Sequence, residues 1–174
     1  MNRGRRFLLL LSGVILLLSS LAAACGEPQK TSHYSHYVNE EYGYGLDYPS
    51  NWNLDASEAH LVFIDPPSSC SQLLRVTIAA FDGEPDVPID ITIRQWVEVL
   101  AATWENFILL SSQPLEDNWD WLVEYTYNID GLRVRSQNYI KQTNHFGYIV
   151  DLTYESDSVP VEMQDILESF TISG

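Results

Sequence analysis

The sequence is poor in cysteine and in basic residues. Its two cysteines, Cys25 and Cys70, exclude a fold held together by several disulfides. Nine Lys and Arg stand against 24 Asp and Glu, so the formal net charge is −15. Such a surface repels phosphate backbones and anionic lipid head groups, which argues against nucleic acid as a partner and against electrostatic adhesion to a membrane. The negative charge serves solubility or, alternatively, recruits cations or a basic partner.

Motifs of catalysis, phosphate binding and metal binding are also missing from the sequence. It contains no Gly-rich phosphate loop, no nucleophile elbow and no His-Glu-x-x-His sequence. His60 and His145 are isolated, while His33 and His36 lie in a polar stretch that has no helix signal and no further ligand to complete a metal set. We therefore expect no catalytic residue, no cofactor and no metal site, with an uncharacterised hydrolase-type enzyme as an alternative.

The hydrophobic run at the start of the chain is the clearest feature that is present. Three arginines within the first six residues precede an almost unbroken apolar stretch over residues 7–18, and mostly small residues follow over 19–24. This order of charged, apolar and small segments is that of a secretory signal. Since the apolar stretch is shorter than the roughly 20 residues that cross a bilayer, we predict that residues 1–24 are a signal peptide.

The end of this segment, Leu21-Ala22-Ala23-Ala24-Cys25-Gly26, resembles a bacterial lipobox. In lipoproteins of that kind the chain is cut between Ala24 and Cys25, and the cysteine thiol carries a diacylglycerol. Ala22 stands where the lipobox usually has Leu, and the alternatives are ordinary secretory cleavage after an Ala or an uncleaved anchor helix. The resemblance implies a bacterial protein that is lipid-anchored to the cell membrane on its extracytoplasmic side.

The mature chain that follows is more acidic still. Removal of residues 1–24 leaves six basic against 24 acidic residues, a formal charge of −18. Residues 25–39 are polar, and we predict that they form a tether. Residues 40–174 suffice for a single domain with one core, and the ten Tyr and five Trp of the chain argue that this domain is folded. Cys70 lies in a loop rich in Pro and Ser, where we expect a part-buried thiol rather than a reactive one.

Apolar periodicity predicts helices and strands within this domain. Ile93, Trp96 and Leu100 recur at helical spacing in a helix expected from Thr92 to about Asn106, with a capping box at its start. The other predicted elements are strands at 44–48, 60–64 and 73–81, a helix at 160–168 and a short strand or packed tail at 169–172.

A hairpin is the best-defined local prediction. Asp130-Gly131 separates two alternating runs, a strong signal for a two-residue turn. In the register that this turn sets, Trp121 faces Ile140 and Glu124 faces Gln137, so that the apolar residues meet on one side.

A third strand is predicted at residues 145–155, after a three-residue loop at 142–144. This loop length keeps the even-numbered apolar residues of the strand on the same face as Ile140, and it places Arg135 opposite Asp151. We therefore expect a three-stranded antiparallel meander with one strongly apolar face.

Three segments resemble conserved parts of PsbP-like domains. Residues 44–52, Tyr-Gly-Leu-Asp-Tyr-Pro-Ser-Asn-Trp, resemble the family's G-(F/Y)-S-(I/L)-x-Y-P-x-x-W opening, from which Gly45 and Leu46 depart. Residues 148–155 and 166–172 resemble its late strand and its closing helix with a Ser-Phe ending. The resemblance implies an α+β fold, an α-β-α sandwich in which helices flank a central antiparallel sheet of about six strands. PsbP proteins support photosystem II in plants and cyanobacteria, and other members are bacterial lipoproteins of unassigned role, so the motifs specify fold better than function.

A binding or assembly role beside a membrane-associated complex is the function we expect for such a tethered domain. Trp119 and Tyr139 are candidate anchors for a partner, although either residue also suits the core. The alternative is a lipoprotein that binds a small ligand or a divalent cation, for which the acid-rich loops 82–86 and 116–118 are candidates without the spacing of a known calcium loop.

Overall fold

The computed structural model describes residues 33–67, 73–83, 87–116 and 118–173. The predicted signal peptide, the cleavage site between Ala24 and Cys25, and Cys70 lie outside these residues, so their predictions stay predictions. Within the described residues, none of the helices is both long enough and apolar enough to cross a membrane.

The described residues form ten strands and two helices. In chain order these are β1 (Tyr34–Asn39), β2 (Tyr44–Pro49), β3 (Asn53–Glu58), β4 (Leu61–Asp65), β5 (Leu74–Asp82), α1 (Ile89–Thr103), β6 (Glu105–Pro114), β7 (Trp121–Ile129), β8 (Leu132–Gln142), β9 (Phe146–Tyr154), α2 (Val161–Ser169) and β10 (Thr171–Ile172). The strands make a seven-stranded sheet in the order β3-β4-β5-β9-β8-β7-β6 and a three-stranded sheet in the order β1-β2-β10. Every strand pairing in both sheets is antiparallel.

The predicted β7–β8 hairpin is confirmed. Trp121 pairs with Ile140 and Glu124 with Gln137, as the two-residue turn requires. Asp130 and Gly131 both have positive φ angles, 50° and 81°, which a type I′ turn needs at its two central positions. Because the turn and the alternation are both local, the sequence alone determines this register.

The register of β9 differs from the prediction. Asp151 pairs with Asn138, while Arg135 lies three residues away opposite Tyr154. The even-numbered apolar residues of β9 therefore point to the face opposite Ile140. Since β9 is the middle strand of the seven and is covered on both faces, hydrophobic alternation alone does not decide its register.

Helix α1 begins and ends about three residues before its predicted limits. It starts after Pro88, which caps it without a side-chain hydrogen bond, so the predicted capping box at Thr92 is wrong. It ends at Thr103 because the backbone of Trp104 is already extended, with φ −97° and ψ 133°, and β6 begins at Glu105. Strand β6 was not predicted, since it is largely exposed and pairs with β7 through two register irregularities that disrupt the alternation.

The domain also starts earlier than residue 40. Tyr34–Asn39 form β1 and pair along their whole length with β2, so the last part of the predicted tether belongs to the fold.

The layers on the two faces of the seven-stranded sheet differ from the expected pair of helical layers. One face of the seven-stranded sheet packs against α1, while α2 and the three-stranded sheet together supply the core on the other face. The central sheet has seven strands where about six were expected.

Candidate ligand site between the first helix and the sheet

A cavity lies between α1 and the seven-stranded sheet. Seven strands at a spacing of about 4.8 Å span roughly 29 Å, whereas a helix with its side chains is about 10 Å across. The buried residues of α1, Ile93 and Leu100, pack with a cluster that β7 and β8 dominate. The strands β4 and β5 lie toward the opposite edge of the sheet, and residues of both strands line a space of about 340 Å³ beside the helix.

The walls of this space, the α1 cavity, are mostly apolar. Trp104 and Tyr127 lie with their ring centroids 4.4 Å apart, and Tyr125 and Tyr127 are 5.7 Å apart. The residues that line the α1 cavity are Leu61, Phe63, Leu73, Arg75, Thr77, Ala79, Trp96, Leu100, Trp104, Tyr125, Tyr127, Ile129, Asn138, Ile149, Asp151 and Thr153. A wider depression of about 530 Å³ beside the β7–β8 turn is lined mainly by exposed residues, so it encloses a ligand less well.

A polar cluster forms the floor of the α1 cavity. Asp151 lies on the central strand β9 and accepts hydrogen bonds from neutral donors on its own strand and on β8. Asn138 Nδ2 donates to Asp151 Oδ1 at 2.9 Å, and Thr153 Oγ1 donates to Asp151 Oδ2 at 3.1 Å. The hydroxyl of Ser136 donates to Asp151 Oδ1 as well. The carboxylate is thus held in place by three side chains, none of which carries a charge.

Burial changes the acidity of this carboxyl group. Removal from water raises the pKa of Asp151 to about 6, because the three hydrogen bonds favour the charged form too little to offset the loss of hydration. A part of the residue stays accessible and lines the cavity. In the described part of the chain no ion pair involves Asp151. At neutral pH the floor therefore carries a negative charge without a basic neighbour bonded to it.

Asn138 connects this floor to the helix. The residue is 1% exposed, and its Oδ1 accepts a hydrogen bond of 2.9 Å from Trp96 Nε1 on α1. Its Nδ2 group also lies 3.4 Å from the hydroxyl of Tyr125. Asn138 therefore orients one wall of the cavity and the carboxylate at the same time.

Arg75 stands at the rim and is already paired. Its Nε and Nη2 donate to the two carboxylate oxygens of Asp65 at 2.7 and 3.0 Å. The guanidinium carbon lies 5.0 Å from the centroid of the Phe63 ring, a cation–π contact. The hydrogen bond that Arg75 donates to Asp65 raises the pKa of Arg75, so this side chain stays charged and its charge is balanced locally.

The residues singled out from the sequence lie elsewhere. Trp119 is 8% exposed and packs on Phe170 and Tyr139, so it belongs to the core and is no exposed anchor. Tyr139 is half-buried. His36 Nδ1 lies 2.7 Å from Asp47 Oδ1, and among the described residues no three His, Cys, Asp or Glu side chains gather as metal ligands do. The loops 82–86 and 116–118 are only partly described.

Sequence reasoning missed the two residues that define the floor, Asp151 and Asn138. One signal was available, because Asp151 interrupts the otherwise apolar run Tyr148-Ile149-Val150-Asp151-Leu152 in the middle of a strand. In the predicted register Asp151 lay opposite Arg135, so the charge of Asp151 was assigned to an ion pair between these two residues.

Solved structures share this fold, although sequence comparison finds no relative. No protein-family model matches the sequence, and no curated protein matches it either. A protein from Bacteroides thetaiotaomicron is 16% identical to this chain, with a TM-score of 0.55. The match covers 80% of this chain and 48% of the Bacteroides protein, so this chain spans about half of that protein's length. Cyanobacterial PsbP (CyanoP) from Synechocystis is 14% identical with a TM-score of 0.58, over 87% of this chain and 99% of that one.

The Ran-binding protein Mog1p of Saccharomyces cerevisiae is similar as well. It is 6% identical with a TM-score of 0.55, over 80% of this chain and 95% of Mog1p. The chain therefore has the PsbP-like fold that its opening and closing motifs indicated. At these identities the likeness establishes the fold alone, because one fold serves many functions.

Proposed function

We propose that this protein is a non-catalytic binding protein that acts outside the cytoplasm on a lipid tether at Cys25, with the α1 cavity as its ligand site. One observation carries the binding role: a cavity of about 340 Å³ has aromatic walls and one half-enclosed carboxylate on its floor. Small-molecule sites typically combine apolar walls with a few convergent polar groups in a space of about 300 to 1,000 Å³.

The chemistry of the lining favours binding over catalysis. Burial raises the pKa values of Tyr125 and Tyr127, so both phenols keep their protons at neutral pH. The donors around Asp151 are an amide and two hydroxyls that already hydrogen-bond the carboxylate. Among the described residues that line the cavity, Asp151 is thus the group that can change protonation near neutral pH, and a general acid–base pair needs two.

The proposed tether has a direct test. The substitution Cys25→Ala removes the thiol that would be acylated, so we expect the mature domain to move from the membrane fraction to the soluble fraction. Cys70→Ala is the matched control and should leave the protein in the membrane fraction. Membrane retention of the Cys25→Ala protein equal to that of the wild type would contradict the lipid anchor.

The cavity is tested separately by filling it. Ala79 is half-buried on β5 and lines the α1 cavity, whereas Ala102 is exposed on α1. We expect the neutral fluorescent probe N-phenyl-1-naphthylamine to bind the wild type and Ala102→Phe alike, and to lose its fluorescence with Ala79→Phe. Equal fluorescence in all three proteins would show that the probe does not use the cavity, and it would remove the support for this site.

A second candidate function is that of an accessory to a membrane-associated complex. Strand β6 is the last strand of the seven-stranded sheet, and Ile108, Leu109 and Leu110 on it are 51%, 42% and 46% exposed. An exposed apolar edge strand is able to pair with an extended segment of a partner. If this edge docks a partner, Leu109→Lys should abolish a crosslink to a membrane protein in intact cells that Ala79→Phe leaves unchanged. A crosslink that survives Leu109→Lys would rule out the edge.

A further inference from the structure

The charge of the α1 cavity indicates what kind of ligand fits it. Asp151 carries the one formal charge on the floor, and its three partners there are neutral. The nearest cation along the lining, Arg75, is held by two hydrogen bonds to Asp65 and so leaves the floor uncompensated. An anionic ligand would face this carboxylate at close range, and a cationic one would neutralise it.

The carboxylate retains hydrogen-bonding capacity for such a ligand. An ionised carboxylate has about four acceptor positions. Asp151 Oδ1 accepts from Asn138 and Ser136, whereas Oδ2 accepts from Thr153. A position on Oδ2 therefore remains for an N–H donor of a ligand.

The walls suit a cation that has an apolar body. The faces of Trp, Tyr and Phe rings carry negative potential and attract ammonium and guanidinium groups. Five aromatic residues line the cavity: Phe63, Trp96, Trp104, Tyr125 and Tyr127. The structure already contains one such contact, because the guanidinium of Arg75 lies 5.0 Å from the Phe63 centroid.

The net charge of the protein acts in the same direction. The mature chain carries 24 acidic against six basic residues, for a formal charge of −18. A field of that sign raises the local concentration of cations and lowers that of anions. Composition alone selects no site, but it favours the same ligand class as the cavity does.

We propose that the α1 cavity binds an apolar organic amine in its protonated form, with the ammonium group bonded to Asp151 and the apolar body against the aromatic walls. This inference rests on the proposed function, because it assigns a ligand class to the same cavity. It goes beyond that function because it requires a positively charged ligand. The carboxylate on the floor favours a cation, whereas the apolar walls alone would bind a neutral ligand equally well.

The test compares three ligands that share a phenyl body and differ in charge: 2-phenylethylamine, 2-phenylethanol and 3-phenylpropionate. Binding to the whole mature chain carrying Cys25→Ala is measured by calorimetry at pH 7.5. We expect the amine to bind at least about tenfold more tightly than the alcohol, as a charge-assisted hydrogen bond provides, and the propionate to bind most weakly. Asp151→Asn should remove that tenfold preference and leave the affinity for the alcohol within about twofold.

A second measurement needs no substitution. Protonation of Asp151 should weaken amine binding at pH 5 relative to pH 7.5, while alcohol binding stays constant. The other ionisable groups that line the cavity are Arg75 on β5 and Tyr125 and Tyr127 on β7, and the raised pKa of each keeps all three protonated over this range.

The outcomes separate the two proposals. If the alcohol binds as tightly as the amine, or if Asp151→Asn leaves the preference for the amine intact, the amine assignment is overturned while the cavity stays a binding site. If none of the three ligands binds and Ala79→Phe leaves probe fluorescence unchanged, the cavity is no ligand site and both proposals fail. If the amine binds tenfold more tightly, only to the protein with Asp151, the amine assignment stands.

Discussion

The two faces of strand β9 differ in what covers them. The even-numbered residues Tyr148, Val150, Leu152 and Tyr154 are at most 1% exposed and pack into the core that α2 and the three-stranded sheet complete. On the opposite face β9 carries Ile149, Asp151 and Thr153, and α1 covers only part of the sheet there. One strand thus serves as packed scaffold on one side and as the floor of a cavity on the other. The difference follows from width, since a layer of several elements closes one face and a single described helix does not close the other.

The largest expected effect separates the faces by stability. Leu152 is fully buried on the packed face, whereas Leu61 is half-buried and lines the α1 cavity. We expect Leu152→Ala to lower the free energy of unfolding by about 2 to 5 kcal/mol and Leu61→Ala by about 1 kcal/mol, measured by urea denaturation. Equal losses would mean that the cavity side is packed as tightly as the other side.

The second prediction concerns pH and Asp151. Burial raises the pKa of Asp151 from its ordinary value of 3.8 to about 6 in the fold. Between these pH values the folded protein keeps a proton on Asp151 that the unfolded chain has lost. The contribution of Asp151 to the free energy of unfolding therefore falls as pH rises, and it levels off above about pH 7. Asp151→Asn lacks this loss.

The stability of the wild type minus that of Asp151→Asn should therefore fall by about 2 to 3 kcal/mol between pH 4 and pH 7. Taking the difference cancels the contribution of the other carboxylates. A difference that stays constant, or that rises with pH, would show that Asp151 ionises in the fold as easily as in water.

The third prediction tests the link between the helix and the floor. Trp96→Phe keeps an aromatic wall but removes the donor to Asn138, so we expect a loss of about 1 kcal/mol in the free energy of unfolding. Trp104→Phe is the control, because the described contacts of Trp104 are ring contacts rather than indole hydrogen bonds. Similar losses for both variants would show that ring volume, and not the hydrogen bond, is what matters.

The smallest effect is expected at the rim. The Arg75–Asp65 ion pair is about half exposed, and pairs of this kind contribute about 0 to 1 kcal/mol. Asp65→Asn should therefore change the free energy of unfolding by less than about 1 kcal/mol, and the change should shrink further in 0.5 M salt, roughly as screening predicts. A loss well above this, insensitive to salt, would mean that the rim is part of the structural core.

Local signals predicted the parts of the fold that depend on neighbouring residues. The β7–β8 register follows from Asp130-Gly131 and from alternation, and both are visible in the sequence. The edge strands β3 and β6 were missed, because β3 is polar and both are largely exposed, so neither shows a buried side. The PsbP-like motifs of residues 44–52 indicated the fold that the neighbouring structures share.

The site could not be predicted because it depends on one turn. Thr143 closes the β8–β9 connection with its own hydroxyl, which accepts a hydrogen bond from the backbone N–H of Phe146 at 3.0 Å, and Gln142 pairs with Gly147. Four residues, 143–146, lie between this last pair, one more than in the predicted loop, and the register of β9 shifts accordingly. With that shift Asp151 lies beside Asn138 and forms the floor of a cavity, whereas the predicted register paired it with Arg135. The face of an acidic residue in a strand covered on both sides depends on such a connection, and its hydrophobic neighbours do not reveal it.

The most direct test of the difference between the two faces is a methyl NMR titration of the mature Cys25→Ala chain with 2-phenylethylamine. The methyl groups of Ile149 and Leu100 lie on the side of the α1 cavity, and those of Met163 and Ile166 lie in the packed core. We expect the ligand to shift the signals of Ile149 and Leu100 and the indole N–H of Trp96, with Met163 and Ile166 unmoved. Shifts at Met163 and Ile166, or an absence of shifts at Ile149 and Leu100, would contradict the assignment of the binding site to this face of the sheet.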